Sequence, residues 1–251
     1  MIKKVILVVV AFAIGFFGFR YFYDKYKTTD EENSVVEETM VEQEEEEWIT
    51  LFDGSSFDGW HEYNSDTITS VWTLEEGAMT FTPNKEIGGN HTLVTNRKFT
   101  NFVLSLEWKI SKNGNSGVFW GVYEDEKYGR AYSTGPEVQV LDDDGHPDGK
   151  IPSHRAGSLY DMIVPPSGAV KPVGEWNTLV ITVDHEANKG SVMLNGTETA
   201  SFPVNGPAWD AMVADSKFKD WEGFGVYRTG KIGVQDHGDV VSFRNIKIKE
   251  L

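Results

Sequence analysis

A glutamate and a glutamine two positions apart are the strongest candidates for chemistry in this sequence. Glu137 and Gln139 lie in a short apolar run that predicts a strand. Their side chains should therefore project from one face, about 7 Å apart along the strand at roughly 3.3 Å per residue. Asp142 would point to the opposite face, unless a bulge restores it to the same one. A carboxylate beside such groups can transfer protons, and an amide can position a substrate or stabilise an oxyanion.

Several other polar and aromatic side chains are candidates for the same site. His146 and His237 are possible acid–base partners, because imidazole titrates near neutral pH. Arg130 and Tyr160 could bind substrate hydroxyl groups or stabilise an oxyanion. Trp120 could stack on a sugar ring, although core packing is the alternative for a tryptophan in a strand.

The acidic loop after the candidate strand has the early spacing of a calcium site. Asp142, Asp144 and Asp148 alternate around a glycine, as the first ligands of a Ca²⁺ loop do. The twelfth position from Asp142 is Ser153, so the closing glutamate of an EF-hand is missing. We predict no required cofactor, with a divalent cation such as Ca²⁺ at these three aspartates as an alternative to a plain polar loop.

Short strands must position these residues, because apolar and polar side chains alternate with a period of two from position 48 onward. Residues 102–110, 179–183 and 240–248 alternate between apolar and polar side chains. Asn195-Gly196 is a strong hairpin signal, and only residues 209–221 could form a short helix. Many short strands separated by turns predict an all-β antiparallel sandwich or jelly roll.

The composition excludes several functional classes. The 251 residues carry a net charge of −16, which argues against nucleic-acid binding, and they include no cysteine. A disulfide framework, a thiolate metal site and a thiol nucleophile are therefore impossible. No dinucleotide-binding glycine motif, Walker A motif, nucleophile elbow or H-E-x-x-H motif occurs in a suitable context.

The N-terminal part of the chain consists of an apolar segment followed by an acidic one. Residues 1–27 contain an apolar run, 5–19, preceded by two lysines, and they predict an uncleaved signal anchor or transmembrane segment. A cleaved signal peptide is the alternative. Residues 28–47 hold ten acids and no base, which predicts a disordered acidic linker. The domain at 48–251 would then be anchored to the bilayer outside the cytoplasm, in the periplasm or at the cell surface.

Six separated segments of that domain carry a more specific pattern. They are LFDG at 51–54 with GW at 59–60, NSGVF at 115–119, GPEVQVLD at 135–142, GSLYD at 157–161, KPVGEWN at 171–177, and GVQDHG at 233–238 with FRNI at 243–246. In this order they resemble the bacterial 3-keto-disaccharide hydrolase family. The resemblance implies a concanavalin A-like (LamG/glucanase-type) jelly roll over 48–251. It also implies activity on glycosides whose sugar ring is oxidised at C3.

A ketone at C3 relaxes the demands on the site. The Glu-x-Gln-x-x-Asp pattern looks like a variant of the Glu-x-Asp-x-x-Glu signature of jelly-roll β-glucanases. Gln139 and the shorter Asp142 fit poorly with the pair of carboxylates, about 5–5.5 Å apart, of a retaining glycosidase. In a 3-keto sugar, however, the C2 proton is acidic and the oxygen on C1 is β to the carbonyl. One base and one acid then suffice for elimination, and water can add back.

The roles follow from this chemistry. Glu137 is the predicted base or acid, Gln139 a positioning group or enolate donor, and His237 and His146 are the acid–base partners. Gln235, in the same segment as His237, is predicted to bind substrate. The other predicted substrate-binding residues are Asp142, Arg130, Trp120 and Tyr160. The substrate is a small oxidised sugar, and a separate sugar 3-oxidoreductase must supply the ketone. A non-catalytic sugar-binding module, an ordinary glucanase and a structural adhesion domain remain as alternatives.

Overall fold

The computed structural model describes residues 47–251, which form two antiparallel β-sheets packed against each other. The described strands, in chain order, are β1 (Ile49–Phe52), β2 (Trp60–Glu62), β3 (Trp72–Glu75), β4 (Ala78–Phe81), β5 (Leu93–Thr95), β6 (Phe102–Ile110), β7 (Asn115–Val122), β8 (Glu137–Leu141), β9 (Asn177–Asp184), β10 (Lys189–Leu194), β11 (Thr197–Phe202), β12 (Lys231–Val234) and β13 (Val241–Glu250). One α-helix, α1 (Gly206–Ala214), lies between β11 and β12 in this part of the chain.

Each sheet mixes strands that are distant in sequence. The larger sheet has the order β11-β10-β9-β6-β13-β4-β3, and β1 also pairs with β13. The smaller sheet has the order β2-β5-β12-β7-β8. All of these pairs are antiparallel. The prediction of an all-β sandwich with two antiparallel sheets is confirmed.

The hydrophobic core lies between the two sheets. On β6 every second residue from Phe102 to Ile110 is buried, as the alternation predicts. The facing side of the smaller sheet contributes Val118, Val138 and Val140, which belong to the same core cluster. Burying a side chain of this size stabilises the fold by about 1.5–3 kcal/mol. This core fixes the orientation of β7 and β8, and with it the direction of the residues between the buried ones.

The helix differs from its predicted span of 209–221. It begins three residues earlier, at Gly206, with Pro207 at a position where a helix needs no amide donor. It ends at Ala214, where the Ser216 hydroxyl donates a hydrogen bond to the Val213 carbonyl (2.8 Å). A hydroxyl that bonds to the backbone in this way competes with continued helix. Residues 215–221 therefore form a loop, which contributes to the site described below.

The predicted membrane segment at 1–27 and all but the last residue of the acidic linker at 28–47 lie outside the described residues. Within 47–251, no helix has the length and apolar character needed to cross a bilayer.

Candidate active site

The floor of the candidate site is the outer face of β7 and β8. Glu137 and Gln139 both belong to this face, as their spacing predicts. In the ladder, Gly117 pairs with Gln139, and Phe119 pairs with Glu137. A Cβ atom on Gly117 would overlap the Glu137 carboxylate. The glycine therefore gives the carboxylate room to lie against the neighbouring strand.

A cavity of about 260 Å³ opens above this floor. It brings together residues from three strands or strand ends and from three loops or turns. Its lining consists of Asn115, Tyr132, Glu137, Gln139, Tyr160, Lys217, Phe218, Trp221, Gln235 and His237. Four of the predicted site residues lie here with Glu137: Gln139, Tyr160, Gln235 and His237. A concave site with a few converging polar groups is the usual form of a small-molecule site.

Glu137 is the buried carboxylate of this cavity. Its side chain is not ion-paired within the described residues, and only 8% of the residue is exposed. Burial raises the pKa of Glu137 from 4.5 to about 8, with Lys217 opposing the shift and Asp148 adding to it. A carboxyl group that titrates near neutral pH can give or take a proton at working pH.

The amide of Gln139 is held against this carboxylate. Gln139 is fully buried, and its amide is oriented so that its nitrogen faces acceptors. The nitrogen then donates to the Ser116 carbonyl (2.9 Å) and lies 3.3 Å from Oε1 of Glu137. The amide of Asn115 lies 3.3 Å from the other end of the Gln139 side chain. This chain of amides fixes the position of Glu137 and offers it a neutral hydrogen-bond donor.

Tyr160 and Lys217 form one wall of the cavity. The Lys217 ammonium lies 4.0 Å from the centre of the Tyr160 ring. The Tyr160 hydroxyl donates to Asp148 (3.4 Å), and burial raises the pKa of Tyr160, with Asp148 and Glu137 adding to the effect. The Lys217 main-chain amide donates to Asp161 (2.8 Å), whose other oxygen lies 3.0 Å from Nε2 of His154. These contacts hold the loop after α1 over the floor.

His237 lies at the open side of the cavity. It is exposed, and its ring is 6.3 Å from that of half-buried His146, at an angle of 87°. Nδ1 of His146 accepts a hydrogen bond from the Asp148 amide (3.1 Å). Gln235 is buried two residues before His237, and its main-chain amide donates to the Gly117 carbonyl (2.9 Å). The end of β12 thus carries both residues to the floor formed by β7 and β8.

Comparison with known proteins assigns this architecture to a family. Residues 47–249 match the sequence profile described as the 3-keto-alpha-glucoside-1,2-lyase-like domain. This chain belongs to that family. Over 231 residues it is 38% identical to a 3-keto-disaccharide hydrolase from Bacteroides thetaiotaomicron, covering 81% of this chain and 78% of the relative. The predicted family resemblance is confirmed, and so is the prediction of a glycoside-cleaving hydrolase.

Solved structures agree with the family assignment. A Parabacteroides distasonis protein whose name places it among the glycosyl hydrolases has a TM-score of 0.74 at 32% identity, covering 81% of this chain and 94% of its own. A second such protein from that organism has a TM-score of 0.62 at 26% identity, covering 82% of this chain and 100% of its own. A Bacillus subtilis protein with a galectin-like fold, at a TM-score of 0.54 and 10% identity, shares the fold alone. It covers 81% of this chain and 94% of its own.

In this family member, Trp120 belongs to the core rather than to the cavity. It is buried and stacks on Phe202, with ring centres 5.6 Å apart and planes 20° apart. Trp120 lies two residues after Val118, which faces the core, whereas Gly117 underlies Glu137. The prediction that Trp120 lines a sugar-binding face is therefore corrected. Tyr132 and Trp221 are the exposed aromatic residues at the cavity, with ring centres 5.9 Å apart.

Asp142 does not join Glu137 on the floor. The ladder between β7 and β8 runs without a register shift, so the bulge that would turn Asp142 to that face is missing from this pair. The Asp142 carboxylate instead accepts from the main-chain amides of Asn113 (2.7 Å) and Gly145 (3.0 Å). It shapes the turns beside the site, and the predicted substrate-binding role of Asp142 is corrected.

Two of the three aspartates predicted to bind calcium contact main-chain amides or a tyrosine. Both carboxylate oxygens of Asp142 face main-chain amides, and Asp148 faces Tyr160. Within residues 47–251, no group of three or more histidine, aspartate or glutamate side chains could hold a metal ion. Asp142, Asp144 and Asp148 therefore do not converge as the alternative Ca²⁺ site requires.

Sequence reasoning missed five residues of the cavity, which are Asn115, Tyr132, Lys217, Phe218 and Trp221. Three of them, Lys217, Tyr132 and Trp221, carry a charged or exposed aromatic group. Lys217 and Trp221 lie in the segment expected to be helical, and Tyr132 lies in a short 3-10 turn before β8. None of the three belongs to an alternating strand pattern. Arg130, predicted to bind substrate, is exposed and lines a neighbouring cavity rather than this one.

Proposed function

We propose that this protein cleaves the glycosidic bond of 3-keto-glycosides by elimination across C1 and C2, followed by addition of water. One observation carries the proposal. Glu137 is a buried carboxyl group with a pKa near 8, and the described lining of its cavity holds no second carboxylate. A retaining or inverting glycosidase needs two carboxyl groups at the scissile bond. A 3-keto sugar needs only one base, because its ketone already acidifies the C2 proton.

In the first step, Glu137 takes the proton from C2. The electron pair of the C2–H bond forms a C2–C3 double bond, and the ketone oxygen becomes an enolate. The Lys217 ammonium is the charged group of this cavity that can stabilise that negative charge. The Gln139 amide, whose nitrogen faces Ser116 and Glu137, positions the base. Tyr160 holds the ammonium over the site through its ring.

In the second step, the enolate re-forms the ketone and a C1–C2 double bond forms. The bond from C1 to the glycosidic oxygen breaks, and that oxygen needs a proton. His237 is exposed at the open side of the cavity and is the proposed donor, with His146 beside it. Water then adds to C1 while a proton returns to C2. The net reaction is hydrolysis, in which no electrons are gained or lost.

The name of the Bacteroides thetaiotaomicron relative supports a 3-keto-disaccharide as substrate. Since the proposed reaction requires a ketone that it does not make, we infer that a separate sugar 3-oxidoreductase supplies it. Anchoring by residues 1–27 outside the cytoplasm is likewise inferred, from the sequence pattern alone.

The test is product analysis in D₂O. The purified protein is incubated with 3-keto-trehalose and, separately, with trehalose. We expect cleavage of the keto sugar alone, with one deuterium at C2 of the released 3-keto-glucose. Because 3-keto-glucose can exchange its C2 proton unaided, the product incubated without enzyme is the control.

Other results would contradict the proposal in distinguishable ways. Cleavage with protium retained at C2 would exclude elimination. Cleavage of trehalose at a comparable rate would indicate an ordinary glycosidase. Binding of both sugars without turnover would indicate a sugar-binding module that uses the exposed rings of Tyr132 and Trp221.

A further inference from the structure

A second cavity, of about 610 Å³, adjoins the one above Glu137. Tyr132, Gln235 and His237 line both cavities, so the two share a wall of residues. Most of the remaining lining comes from the loop at 83–92, together with Arg130. The cavity above Glu137 is smaller than the roughly 300 Å³ at which sites for drug-sized ligands begin. It therefore suits one sugar ring, and a disaccharide must extend beyond it.

Two buried polar atoms along these cavities are not hydrogen-bonded to any part of the described chain. They are Nδ2 of Asn90 in the larger cavity and Oε1 of Gln235, which lines both. Buried donors and acceptors are nearly always paired, because an unpaired one loses its hydration without compensation. One of these atoms is a donor and the other an acceptor. A sugar hydroxyl can accept from the first, and another can donate to the second.

The wall that carries Asn90 is anchored rather than free. The Asp236 carboxylate accepts hydrogen bonds from the His91 amide (2.8 Å) and from the Thr92 hydroxyl (2.7 Å). The His91 ring in turn lies 3.2 Å from the buried Glu62 carboxylate. Asn90 is thereby fixed beside the end of β12, where Gln235 and His237 lie. A donor held in place in this way binds a hydroxyl with little further ordering.

We propose that the larger cavity is the subsite for the leaving sugar, and that Asn90 binds one of its hydroxyl groups. The assignment rests on the proposed function. Glu137 lines only the smaller cavity, so the ring that loses its C2 proton must lie there. His237 lines both cavities, which places the breaking bond between them. The leaving sugar then occupies the larger cavity, and His237 lies where its oxygen needs a proton.

The test compares two substrates that share the oxidised ring and differ in the leaving group. One is 3-keto-trehalose, whose leaving group is glucose, and the other is methyl 3-keto-α-glucoside, whose leaving group is methanol. We expect Asn90→Ala to raise KM for the disaccharide about fivefold to tenfold, because one good hydrogen bond is lost. KM for the methyl glycoside should change by less than about twofold. Glucose should also inhibit the variant more weakly than the wild type.

Glu86→Ala is the matched control, because Glu86 is an exposed residue of the same loop and lines neither cavity. It should leave both substrates unchanged. Arg130→Ala provides a second variant in the lining of the larger cavity, and it should also weaken binding of the disaccharide selectively.

An equal rise in the KM of Asn90→Ala for both substrates would overturn the subsite assignment, since the methanol leaving group cannot reach Asn90. Unchanged kinetics of both the Asn90 and Arg130 variants would overturn it as well. In either case the wild type is active and the proposed function stands. A wild type that cleaves neither keto sugar would instead refute the proposed function, and the subsite with it.

Discussion

Glu107 on β6 and Glu137 on β8 are both outward-facing glutamates in strands, one in each sheet. The Glu107 carboxylate accepts hydrogen bonds from Arg244 (2.7 Å) and Asn245 (2.9 Å) and remains partly exposed. The Glu137 carboxylate is buried beneath two loops and is not ion-paired in the described part of the chain. An exposed ion pair contributes little to stability or chemistry, whereas a buried carboxyl group changes its pKa. The surroundings of the strand, more than the residue type, therefore decide what a glutamate can do.

The outer faces of the two sheets differ in solvent exposure, as these two glutamates do. The outer face of the larger sheet carries charged side chains such as Lys109 and Arg244, which lie 4.9 Å and 4.0 Å from the centre of the Trp176 ring. The smaller sheet is covered on its outer side by the loop after α1 and by the turn that holds Tyr132. A covered sheet face excludes water, and so strengthens every electrostatic effect on the groups beneath it.

The largest contrast should come from neutralising each glutamate. Glu137→Gln removes the proposed base while keeping the shape of the side chain. We expect kcat/KM for a 3-keto-disaccharide to fall about 10²–10⁴-fold, the usual contribution of a general base. Glu107→Gln, the matched change in the other sheet, should alter kcat/KM less than about twofold and stability by less than about 1 kcal/mol. Steady-state kinetics and denaturation of both variants provide the measurement. Comparable activity of the two variants would remove Glu137 from the mechanism.

A second contrast uses one glycine from each sheet. A methyl group on Gly117 would overlap the Glu137 carboxylate, and one on Gly190 would overlap the Phe202 ring. We expect Gly117→Ala to lower kcat about tenfold to a hundredfold, because small misplacements of a catalytic group have effects of this size. Gly190→Ala should lower stability by about 1–3 kcal/mol, the usual effect of overpacking, and leave kcat of the folded protein near normal. Thermal unfolding alongside kinetics separates the two effects. A Gly117 variant with full activity would show that the carboxylate tolerates displacement.

Strand periodicity explains which parts of the site the sequence could predict. Because alternate residues of a strand face opposite sides, Glu137 and Gln139 had to share a face. The same rule, applied to β7, would have placed Trp120 with Val118 in the core. Strand alternation alone does not predict the orientation of Asp142, because its carboxylate is held by the amide of Asn113, a residue of a different turn.

The upper part of the site was not predictable in this way. Lys217 reaches the cavity because Asp161 and His154, more than 50 positions earlier in the chain, hold its backbone in place. Tyr132 comes from a single 3-10 turn, which has no repeating pattern. Loops are placed by long-range contacts, and one sequence alone gives no direct sign of these. The family resemblance identified the floor of the site because its segments at 115–119 and 135–142 contain residues of β7 and all of β8.

The last expected difference concerns the pH dependence of stability. Burial raises the pKa of Glu137 from 4.5, its ordinary value, to about 8. Between these values the folded protein keeps a proton on Glu137 that the unfolded chain releases. The contribution to stability is therefore complete below pH 4.5 and is lost as pH rises towards 8, by on the order of 5 kcal/mol at most. Because the Lys217 charge opposes the shift, Lys217→Met should extend this loss to higher pH.

Chemical denaturation of three proteins from pH 4.5 to 9 tests this linkage. Glu137→Gln carries no titrating proton at this position, so its free energy of unfolding should fall less steeply with pH than that of the wild type. Glu107→Gln is the control for replacing a strand glutamate by glutamine, since the Glu107 carboxylate is partly exposed and paired with Arg244. Equal slopes for the wild type and Glu137→Gln would mean that Glu137 is already ionised in the folded protein at low pH. Burial would then not prepare the Glu137 carboxyl group for proton transfer near neutral pH.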